Sequence, residues 1–365
     1  MSENIFGVAI IGCGNIAESY AHNLFTAYPR INLVGMTDVH LERAQALAAQ
    51  YNSKVYSSLE ELLADDDVEL VVNLTVPNAH KAIITQCLEA GKHVHSEKPL
   101  ALNHQDAQEL VKLAQQKGLR LSCSPFIHMG EGQQTAWKWI REGRLGPVRV
   151  VYAEANWGRI ETWHPAPVPF YQVGPLFDLG VYPLTLLTTF FGPVRRVTAY
   201  GSVLYPNRVT VDNTPFQVET PDYVTAMVEL ASGTLLRLTV NFYVSRSSKQ
   251  QRSMLEFHGD QGSLYLSDWH NFDGKVEFAE FGQPYQPVAW LKEPRQGSKG
   301  IEWGRVILDV VEAIAQDKPH RATGEHASHI VEVLNAIERS MKNNEPVQVQ
   351  SEFVPPRPMD WAMSV

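Results

Sequence analysis

Short apolar runs alternate with amphipathic stretches along the first third of the chain. The runs are too short for helices and predict buried strands, while apolar positions at helical spacing fill most of the intervals between them. Repeated strand–helix units of this kind predict a parallel sheet covered on both faces. The predicted strands cover residues 6–11, 31–36, 69–74, 92–96 and 119–124, and the predicted helices cover residues 17–28, 41–51, 59–63, 80–90 and 105–117.

The pattern changes after residue 124, where one predicted helix is followed by segments of alternating apolar and polar positions. Ser232-Gly233 joins two of these segments as a predicted tight hairpin. Regular spacing of short alternating segments predicts an antiparallel sheet rather than further strand–helix units. The helix covers residues 132–142, and the predicted strands cover residues 148–157, 194–203, 223–229, 234–243, 252–258 and 263–266.

Charge and cysteine content narrow the class of protein. A net charge of -9 leaves no strongly basic surface, which argues against a nucleic-acid binder and favours small-molecule partners. Cys13, Cys87 and Cys123 form neither a disulfide framework nor a metal spacing, so a reducing compartment is expected. Residues 1–6 carry no basic cluster, and no apolar run reaches the roughly 18 residues that a membrane span needs. We therefore expect a cytoplasmic protein without a membrane partner.

A glycine motif follows the first predicted strand directly. Gly12 permits a tight turn, Gly14 lets the main chain approach a pyrophosphate, and Ala17 lets the next helix pack closely on the strand. Asn15 and Ile16 complete the loop, and the helix that begins here points its N-terminus at the anion. Because a strand precedes the motif and a helix follows it, the motif predicts a dinucleotide site.

Asp38 comes after the second predicted strand, where an acid is expected to bind the adenosine ribose. A carboxylate favours a free 2′-hydroxyl and repels a 2′-phosphate, so NAD is predicted in preference to NADP. Arg43 would shift this balance toward NADP if it turned inward. The alternative role for Asp38 is to cap the helix predicted over residues 41–51.

Two further loops follow strands of the predicted parallel sheet, at the edge where such sheets bind ligands. The first loop is Thr75-Val76-Pro77-Asn78-Ala79-His80, and the second is Glu97-Lys98-Pro99. The residues of these loops that we predict to bind the cofactor are Thr75, Val76, Pro77, Asn78, His80, Glu97 and Lys98. Pro99 excludes the α-helical region for Lys98, so Lys98 is extended and its ammonium can reach into the crevice. The alternative is a solvated lysine beside a turn proline.

Two histidines, His93 and His95, lie on one face of the strand before Lys98. Paired imidazoles can bind a metal, but no acid or thiol stands at ligand spacing here. We therefore predict no metal site and interpret these residues as surface or packing histidines.

Six motifs occur together along nearly the whole chain. They are Gly12-x-Gly14-x-x-Ala17, Thr75-Val76-Pro77-Asn78-x-His80, Glu97-Lys98-Pro99-Leu100-Ala101, Gly130-x-Gly132-Gln133, Gly174-Pro175-Leu176-Phe177-Asp178-x-Gly180-x-Tyr182 and Gly259-Asp260-x-Gly262-Ser263-Leu264. Together they resemble the glucose-fructose oxidoreductase, inositol dehydrogenase and MocA family of NAD(P)-dependent oxidoreductases.

The resemblance implies an α/β protein with two domains. Residues 1–124 would form a Rossmann domain, a doubly wound parallel sheet that binds NAD(P). Residues 125–365 would form an α+β domain whose open, mostly antiparallel sheet covers the nicotinamide and builds the interface of a homodimer or homotetramer. A cis Lys98–Pro99 peptide bond is also implied.

A helix-like run over residues 176–191 is apolar nearly all round and is predicted to be buried. Asp178, Tyr182, Thr185 and Thr189 are its polar exceptions and share one helical face, so they are expected to face something polar. Alternatively, because Pro183 removes a helical hydrogen bond, the helix begins near residue 180 and Asp178 serves as its cap.

The resemblance implies hydride transfer between nicotinamide C4 and a secondary alcohol or ketone of a sugar, polyol or related ring. Tyr182 would exchange the proton, Lys98 would favour its ionised form and bind the reacting oxygen, and Asp178 would orient the tyrosine or relay the proton. Family members such as the glucose-fructose and dihydrodiol enzymes also have tyrosine at the position of Tyr182, whereas many others have histidine. An inositol dehydrogenase is therefore not favoured.

A long proline-rich loop over residues 157–174 contains Trp163 and His164. An indole face and an imidazole suit a polyol ring, so we predict that these residues recognise substrate, with His128 as a further candidate. The alternative is that they only pack the loop.

Two other functions remain open from the sequence. The family includes a repressor that binds dinucleotide without turnover, so a sensor or regulator is one alternative. An NAD-dependent glycosidase or epimerase, in which a hydride leaves and returns, is the other. Lys98 together with the Asp178 and Tyr182 pair argues against the sensor, because a binder needs no proton path.

Overall fold

The structure, a computed structural model, describes residues 5–245, 252–294 and 300–363. It divides into two compact units. The first contains Met1–Phe126 and Glu302–Val331, and the second contains Ile127–Ile301 and Glu332–Val365.

The first unit is built on a six-stranded sheet with the order β3-β2-β1-β4-β5-β6, in which all neighbouring strands pair in parallel. This is the order of a doubly wound Rossmann sheet, so the predicted α/β class is confirmed. The two-residue strand β3 was not predicted, because two exposed residues form no apolar run. The strands are β1 (Phe6–Ile11), β2 (Ile31–Thr37), β3 (Lys54–Val55), β4 (Leu70–Asn73), β5 (His93–Ser96) and β6 (Leu121–Cys123).

Helices join these strands and bury their apolar faces against the sheet. Asn103 caps α5 (His104–Lys117) by accepting a hydrogen bond from the Asp106 amide at 2.9 Å, and Gly118 ends that helix in the left-handed conformation. The first helix ends at Thr26, two residues before the predicted end. The helices are α1 (Ala17–Thr26), α2 (Leu41–Tyr51), α3 (Leu59–Ala64), α4 (His80–Glu89) and α5 (His104–Lys117).

A segment from the C-terminal part of the chain also belongs to the first unit. It contains α9 (Arg305–Ala315) and the start of α10 (Gly324–Asn343). The prediction assigned all of residues 125–365 to the second domain, but this segment hydrogen-bonds to β6: the Cys123 amide donates to the Ala322 carbonyl at 3.1 Å, and Thr323 bridges Ser122. Main-chain pairing with the sheet edge, which leaves no pattern in the sequence, explains the difference.

The second unit contains a nine-stranded sheet with the order β16-β15-β14-β13-β7-β12-β11-β8-β17. Strands β7 and β12 pair in parallel and the other neighbours pair antiparallel, which confirms a mostly antiparallel sheet. Its strands are β7 (Val148–Asn156), β8 (Val194–Ser202), β11 (Tyr223–Leu230), β12 (Leu235–Asn241), β13 (Leu255–Gly259), β14 (Gly262–Leu266), β15 (Val276–Glu280), β16 (Gln286–Val288) and β17 (Val347–Gln348).

Two hairpins connect strands of this unit. In the predicted hairpin between β11 and β12, Gly233 has a φ of 86° and its amide donates to the Leu230 carbonyl at 2.9 Å. Between β8 and β11, the short strands β9 (Asn207–Val209) and β10 (Pro215–Gln217) form a separate two-stranded hairpin. Helix α6 (Glu131–Arg141) lies at the predicted position.

The apolar run after the proline-rich loop contains α7 (Val168–Pro175), a π-helical turn (Leu176–Gly180) and α8 (Val181–Phe191). By length and composition Val168–Phe191 could cross a membrane, but 72% of its most apolar 18 residues are buried, as in the core helix of a globular unit. Asp178 lies inside the π-helical turn, and no side chain caps α8 at Gly180, so the alternative role of Asp178 as a cap is wrong.

The expectation that the whole polar face of this run meets polar groups is also wrong in part. Thr185 donates to the Val181 carbonyl at 2.8 Å, and Thr189 donates to the Thr185 carbonyl at 2.9 Å. Threonine hydroxyls can satisfy themselves on the preceding helical turn, so they do not mark a site. Asp178 and Tyr182 remain as the polar positions that this explanation does not cover.

Candidate active site

A cleft of about 570 Å³ opens in the first unit at the carboxyl ends of β1, β2 and β4. The predicted cofactor residues Gly12, Gly14, Asp38, Thr75 and Val76 all line it. The other predicted cofactor residues lie outside its lining: Asn15, Ile16, Ala17, Pro77, Asn78, His80, Glu97 and Lys98.

The two glycines of the loop have different roles. Gly12 has a φ of 90°, and a Cβ there would approach the main chain of Leu74 to 2.8 Å, so the turn itself requires glycine. At Gly14 a Cβ would have no neighbour within 4 Å, which leaves exposed main chain beside the cleft. Helix α1 begins just after it, and no side chain caps this helix at Ile16. The loop therefore fits a dinucleotide whose phosphates lie on the helix N-terminus.

Asp38 holds the glycine loop to the end of β2. Its Oδ2 accepts a hydrogen bond from the Cys13 amide at 2.6 Å, and its Oδ1 accepts one from the His40 amide at 2.7 Å. No side chain caps α2 at His40, so Asp38 is not the cap of that helix. Arg43 lines the same cleft, so the residues that favour NAD and NADP lie in one place.

A buried histidine connects the two predicted loops. His80 Nδ1 lies 2.7 Å from the Pro99 carbonyl and His80 Nε2 lies 3.0 Å from the Thr75 carbonyl. The imidazole therefore holds the main chain of the two loops together and does not line the cleft. Asn73, which was not predicted, donates to Ser96 Oγ at 3.1 Å and accepts from the Thr75 hydroxyl at 2.7 Å. A polar residue inside an otherwise apolar strand was the available signal.

Lys98 follows the end of β5, and the Lys98–Pro99 peptide bond is cis, as the resemblance implies. The Lys98 amide donates to Glu97 Oε2 at 3.2 Å. Glu97 Oε1 accepts hydrogen bonds from Tyr20 at 2.7 Å and from Ser124 at 2.9 Å. Both carboxylate oxygens of Glu97 are therefore held by groups of the first unit.

The two histidines of β5 are packing residues, in line with the preferred interpretation. Burial lowers the pKa of His95 to about 3 and that of His93 to about 4. His95 Nδ1 lies 2.9 Å from Ser122 Oγ, and His93 Nδ1 accepts from the Arg120 amide at 2.9 Å. Within the described ranges, no group of three or more His, Cys, Asp or Glu side chains could hold a metal ion.

In the second unit, Tyr182 lies on α8 among aromatic side chains. Its ring centroid is 5.6 Å from that of Trp269, in a stacked geometry, and 5.2 Å from that of His270. Asp268 accepts a hydrogen bond from the His270 amide at 2.8 Å, and burial raises the pKa of Asp268. Sequence reasoning missed Trp269 and His270, although a tryptophan–histidine pair resembles the Trp163-His164 pair that it selected.

The proline-rich loop presents Trp163, which is 40% exposed, and His164, which is half-buried. Their rings meet edge to face at 5.5 Å, and His164 also packs on Phe170 at 4.8 Å. His164 Nδ1 accepts from the Ala166 amide at 3.0 Å, so the neutral ring carries its hydrogen on Nε2. His128 is completely buried, which favours packing over its predicted contact with substrate.

A buried ion cluster anchors this loop, and sequence reasoning did not find it. Arg208 on β9 donates to Glu161 at 2.9 Å and to the Tyr171 hydroxyl at 2.7 Å, and it also pairs with Asp222. The Arg208 and Asp222 side chains are fully buried. Since these residues are up to 61 positions apart in sequence, no local pattern reveals the cluster.

The parallel sheet and its glycine-lined cleft define a dinucleotide-binding fold. Residues 6–124 match the oxidoreductase family with an NAD-binding Rossmann fold, and residues 133–265 match the GFO/IDH/MocA C-terminal domain. The chain therefore belongs to the GFO/IDH/MocA oxidoreductase family, and the resemblance seen in its motifs is confirmed.

Individual relatives agree with this placement. The chain is 38% identical over 161 residues to an uncharacterized oxidoreductase of Schizosaccharomyces pombe, covering 43% of this chain and 42% of the relative. It is 30% identical over 224 residues to the trans-1,2-dihydrobenzene-1,2-diol dehydrogenase of Macaca fuscata fuscata, covering 60% of this chain and 63% of the relative. Both matches span less than two thirds of the relatives' length.

The fold also recurs in a solved structure, an NAD binding oxidoreductase from Klebsiella pneumoniae. The TM-score is 0.83 at 23% identity, and the match covers 95% of this chain and 100% of that chain.

Proposed function

We propose that this chain is an NAD-dependent dehydrogenase that transfers a hydride between nicotinamide and a secondary alcohol or ketone of a sugar, polyol or related ring. The observation that carries the proposal is that Lys98 follows the end of β5, a strand of the same parallel sheet whose β1, β2 and β4 ends line the glycine cleft. The diol named for the monkey relative is a cyclic secondary alcohol, which supports the substrate class.

The cofactor proposal rests on the residues of the cleft. The exposed main chain at Gly14 and the uncapped start of α1 would hold the pyrophosphate, and Asp38 would bind the adenosine ribose. Because a carboxylate repels a 2′-phosphate, we propose NAD over NADP, with Arg43 as the residue that opposes this preference. A bound dinucleotide supplies the hydride donor or acceptor.

For the proton transfer that accompanies hydride transfer, we propose roles for three residues. Tyr182 exchanges a proton with the substrate oxygen, Lys98 binds that oxygen and favours the ionised tyrosine, and Asp178 orients Tyr182 or relays its proton. Trp163 and His164 recognise the ring, with His164 offering an Nε2 hydrogen as a donor to a substrate hydroxyl.

Location and assembly complete the proposal. We propose a cytoplasmic protein that acts on small molecules and forms a homodimer or homotetramer through the nine-stranded sheet. Exposed apolar side chains on neighbouring strands of one face support this surface: Tyr200 on β8, Met227 on β11 and Leu235 on β12 are 62%, 43% and 41% exposed.

The test is a panel of sugars, sugar acids, inositols and cyclic diols, each incubated with NAD or NADP while the reduced-nicotinamide absorbance is followed. A dehydrogenase raises this absorbance with its substrate. A glycosidase or epimerase releases product without a net change, and a sensor binds NAD but converts nothing. Either of these last two results would overturn the proposed function.

A further inference from the structure

Tyr20 lies one turn into α1, the helix that begins at the glycine loop, and is completely buried. Its hydroxyl donates to Glu97 Oε1 at 2.7 Å, and the Ser124 hydroxyl donates to the same oxygen at 2.9 Å. The Lys98 amide donates to the other oxygen, Glu97 Oε2, at 3.2 Å. Glu97 thus connects α1 and the end of β6 to the main chain of Lys98.

His95 lies beside the two hydroxyl groups that bind Glu97. Burial keeps this imidazole neutral near pH 7, because its pKa falls to about 3. His95 Nδ1 lies 2.9 Å from Ser122 Oγ, while Nε2 lies 3.3 Å from both the Tyr20 and Ser124 hydroxyl oxygens. If Ser122 donates to Nδ1, the Nε2 hydrogen faces the two hydroxyl oxygens, and each hydroxyl directs its own hydrogen to Glu97.

Aromatic packing holds the phenol in place. The Tyr20 ring centroid is 5.4 Å from that of Trp303, and Trp303 meets Phe126 edge to face at 6.0 Å. His95 in turn packs on Phe126 at 6.1 Å. With its ring enclosed, Tyr20 loses little conformational freedom when it binds Glu97, and a buried hydroxyl that lost this partner would be costly.

We propose that Tyr20 and Ser124 are positioning residues that, through Glu97, set the direction in which Lys98 leaves β5. The effect on turnover rests on the proposed function, whereas the effect on the position of Lys98 does not.

The chain supplies a matched control for Tyr20. Tyr28 is also a buried tyrosine of the first unit, and its hydroxyl donates to Glu302 Oε1 at the same 2.7 Å. Tyr28→Phe therefore removes the same kind of hydrogen bond as Tyr20→Phe but leaves the contacts of Glu97 intact. A difference between the two variants reports on Glu97 and Lys98, whereas a shared effect reports on the loss of a buried hydrogen bond.

The first experiment needs no substrate. The lysines of the whole chain are reductively dimethylated with isotope-labelled formaldehyde, and their methyl groups are observed by nuclear magnetic resonance. The Lys98 methyl resonance is identified by its loss in Lys98→Arg. We expect this resonance to move in Tyr20→Phe and in Glu97→Gln and to stay in place in Tyr28→Phe. An unmoved resonance in Tyr20→Phe would overturn the proposal. If Tyr20→Phe does not fold, Ser124→Ala is measured in its place and is judged by the same result.

The second experiment measures turnover on a substrate found in the panel. Displacing a reacting group by about 1 Å can cost roughly 100-fold in rate, so we expect kcat of Tyr20→Phe to fall about 10- to 100-fold. The KM for NAD should change less than about twofold, because Tyr20 does not line the cleft. Equal losses of kcat in Tyr20→Phe and Tyr28→Phe would show a purely structural role. If no substrate is oxidised, the proposed function fails and the resonance experiment alone decides the inference.

Discussion

Asp38 Oδ2 accepts a hydrogen bond from the Cys13 amide at 2.6 Å, which ties the carboxylate at the end of β2 to the glycine loop. Asp38, which is proposed to select the cofactor, therefore also holds the glycine loop in place. Its second oxygen binds the His40 amide at 2.7 Å, so the carboxylate is oriented before any dinucleotide binds. Because Asp38 is already oriented, binding a ribose would cost less conformational entropy.

This double role predicts different outcomes for two substitutions of Asp38. Asp38→Asn removes the charge but keeps one acceptor for the loop, whereas Asp38→Ser removes both carboxylate oxygens. Both variants should narrow or reverse the preference for NAD over NADP, and only Asp38→Ser should also weaken the binding of both dinucleotides. Calorimetric titration of each variant with both dinucleotides checks this. Equal affinities for NAD and NADP in the unmodified protein would show that the carboxylate only supports the loop.

The Arg208 cluster predicts a large loss of stability. Arg208→Met leaves Glu161 and Asp222 buried without their countercharge, and breaking a buried ion pair in this way costs about 3–5 kcal/mol. Arg149→Met is the control, because Arg149 pairs with Asp260 on the surface, where solvent screens the charges and an ion pair adds little stability. Urea unfolding followed by tryptophan fluorescence compares the two. Similar midpoints for both variants would show that the cluster does not stabilise the fold.

Acid should destabilise the first unit through His95. The pKa of this imidazole falls from about 6.5 in the unfolded chain to about 3 in the fold, because burial disfavours the charged ring. Between about pH 3 and pH 6.5 the His95 imidazole is protonated in the unfolded chain but neutral in the folded protein. The stability is therefore complete above about pH 6.5 and declines as the pH falls toward 3, by up to about 1.4 kcal/mol per pH unit.

Melting temperatures measured across this pH range check the prediction. His95→Gln should reduce the slope of the decline without abolishing it, because burial also lowers the pKa of His93, to about 4. The same slope in His95→Gln as in the unmodified protein would contradict the assignment.

The strands were the most predictable part of the molecule, because each buried strand is an apolar run or an alternating run. The cleft was also predictable, since Gly12, Gly14 and Asp38 follow strands whose ends meet at one edge of the sheet. The features that could not be predicted depend on contacts between residues that are distant in the sequence. The Tyr20 contact with Glu97 spans 77 positions, and Thr323 reaches β6 from the C-terminal part of the chain.

Some sequence signals also had a second physical explanation. The threonines on α8 satisfied the expected pattern of a polar face, yet they bond to their own helix. Asp178 was a candidate helix cap by its position in the sequence, but it lies inside the π-helical turn and not before the start of a helix. Trp269 and His270 lie beside Tyr182 and left no motif, so only the packing of α8 reveals them.

Asp178 does not cap α8, so its proposed role is to orient Tyr182 or to relay its proton. Asp178→Asn keeps the shape of the side chain and removes its charge. We expect turnover to fall while the melting temperature changes little, because a relay or orienting carboxylate acts on Tyr182 rather than on the fold. Unchanged turnover together with a clear loss of stability would show a structural role instead.

Tyr182 and Lys98 are proposed to serve one proton transfer, so their losses should not add. Lys98→Met should lower kcat at least as much as Tyr182→Phe, because Lys98 is proposed to act on both the tyrosine and the developing alkoxide. The double variant should be little worse than either single variant. Multiplicative losses in this cycle would show that the two residues act in separate steps.

The most direct test of the account is kcat of Tyr182→Phe on the substrate found in the panel, measured together with the affinity for NAD. General acid–base catalysis is typically worth about 10²- to 10⁴-fold, and the phenol is not proposed to bind the dinucleotide. We therefore predict that kcat falls within that range while the Kd for NAD stays within about twofold. Near-full turnover in Tyr182→Phe would contradict the account and make His164 the next residue to test.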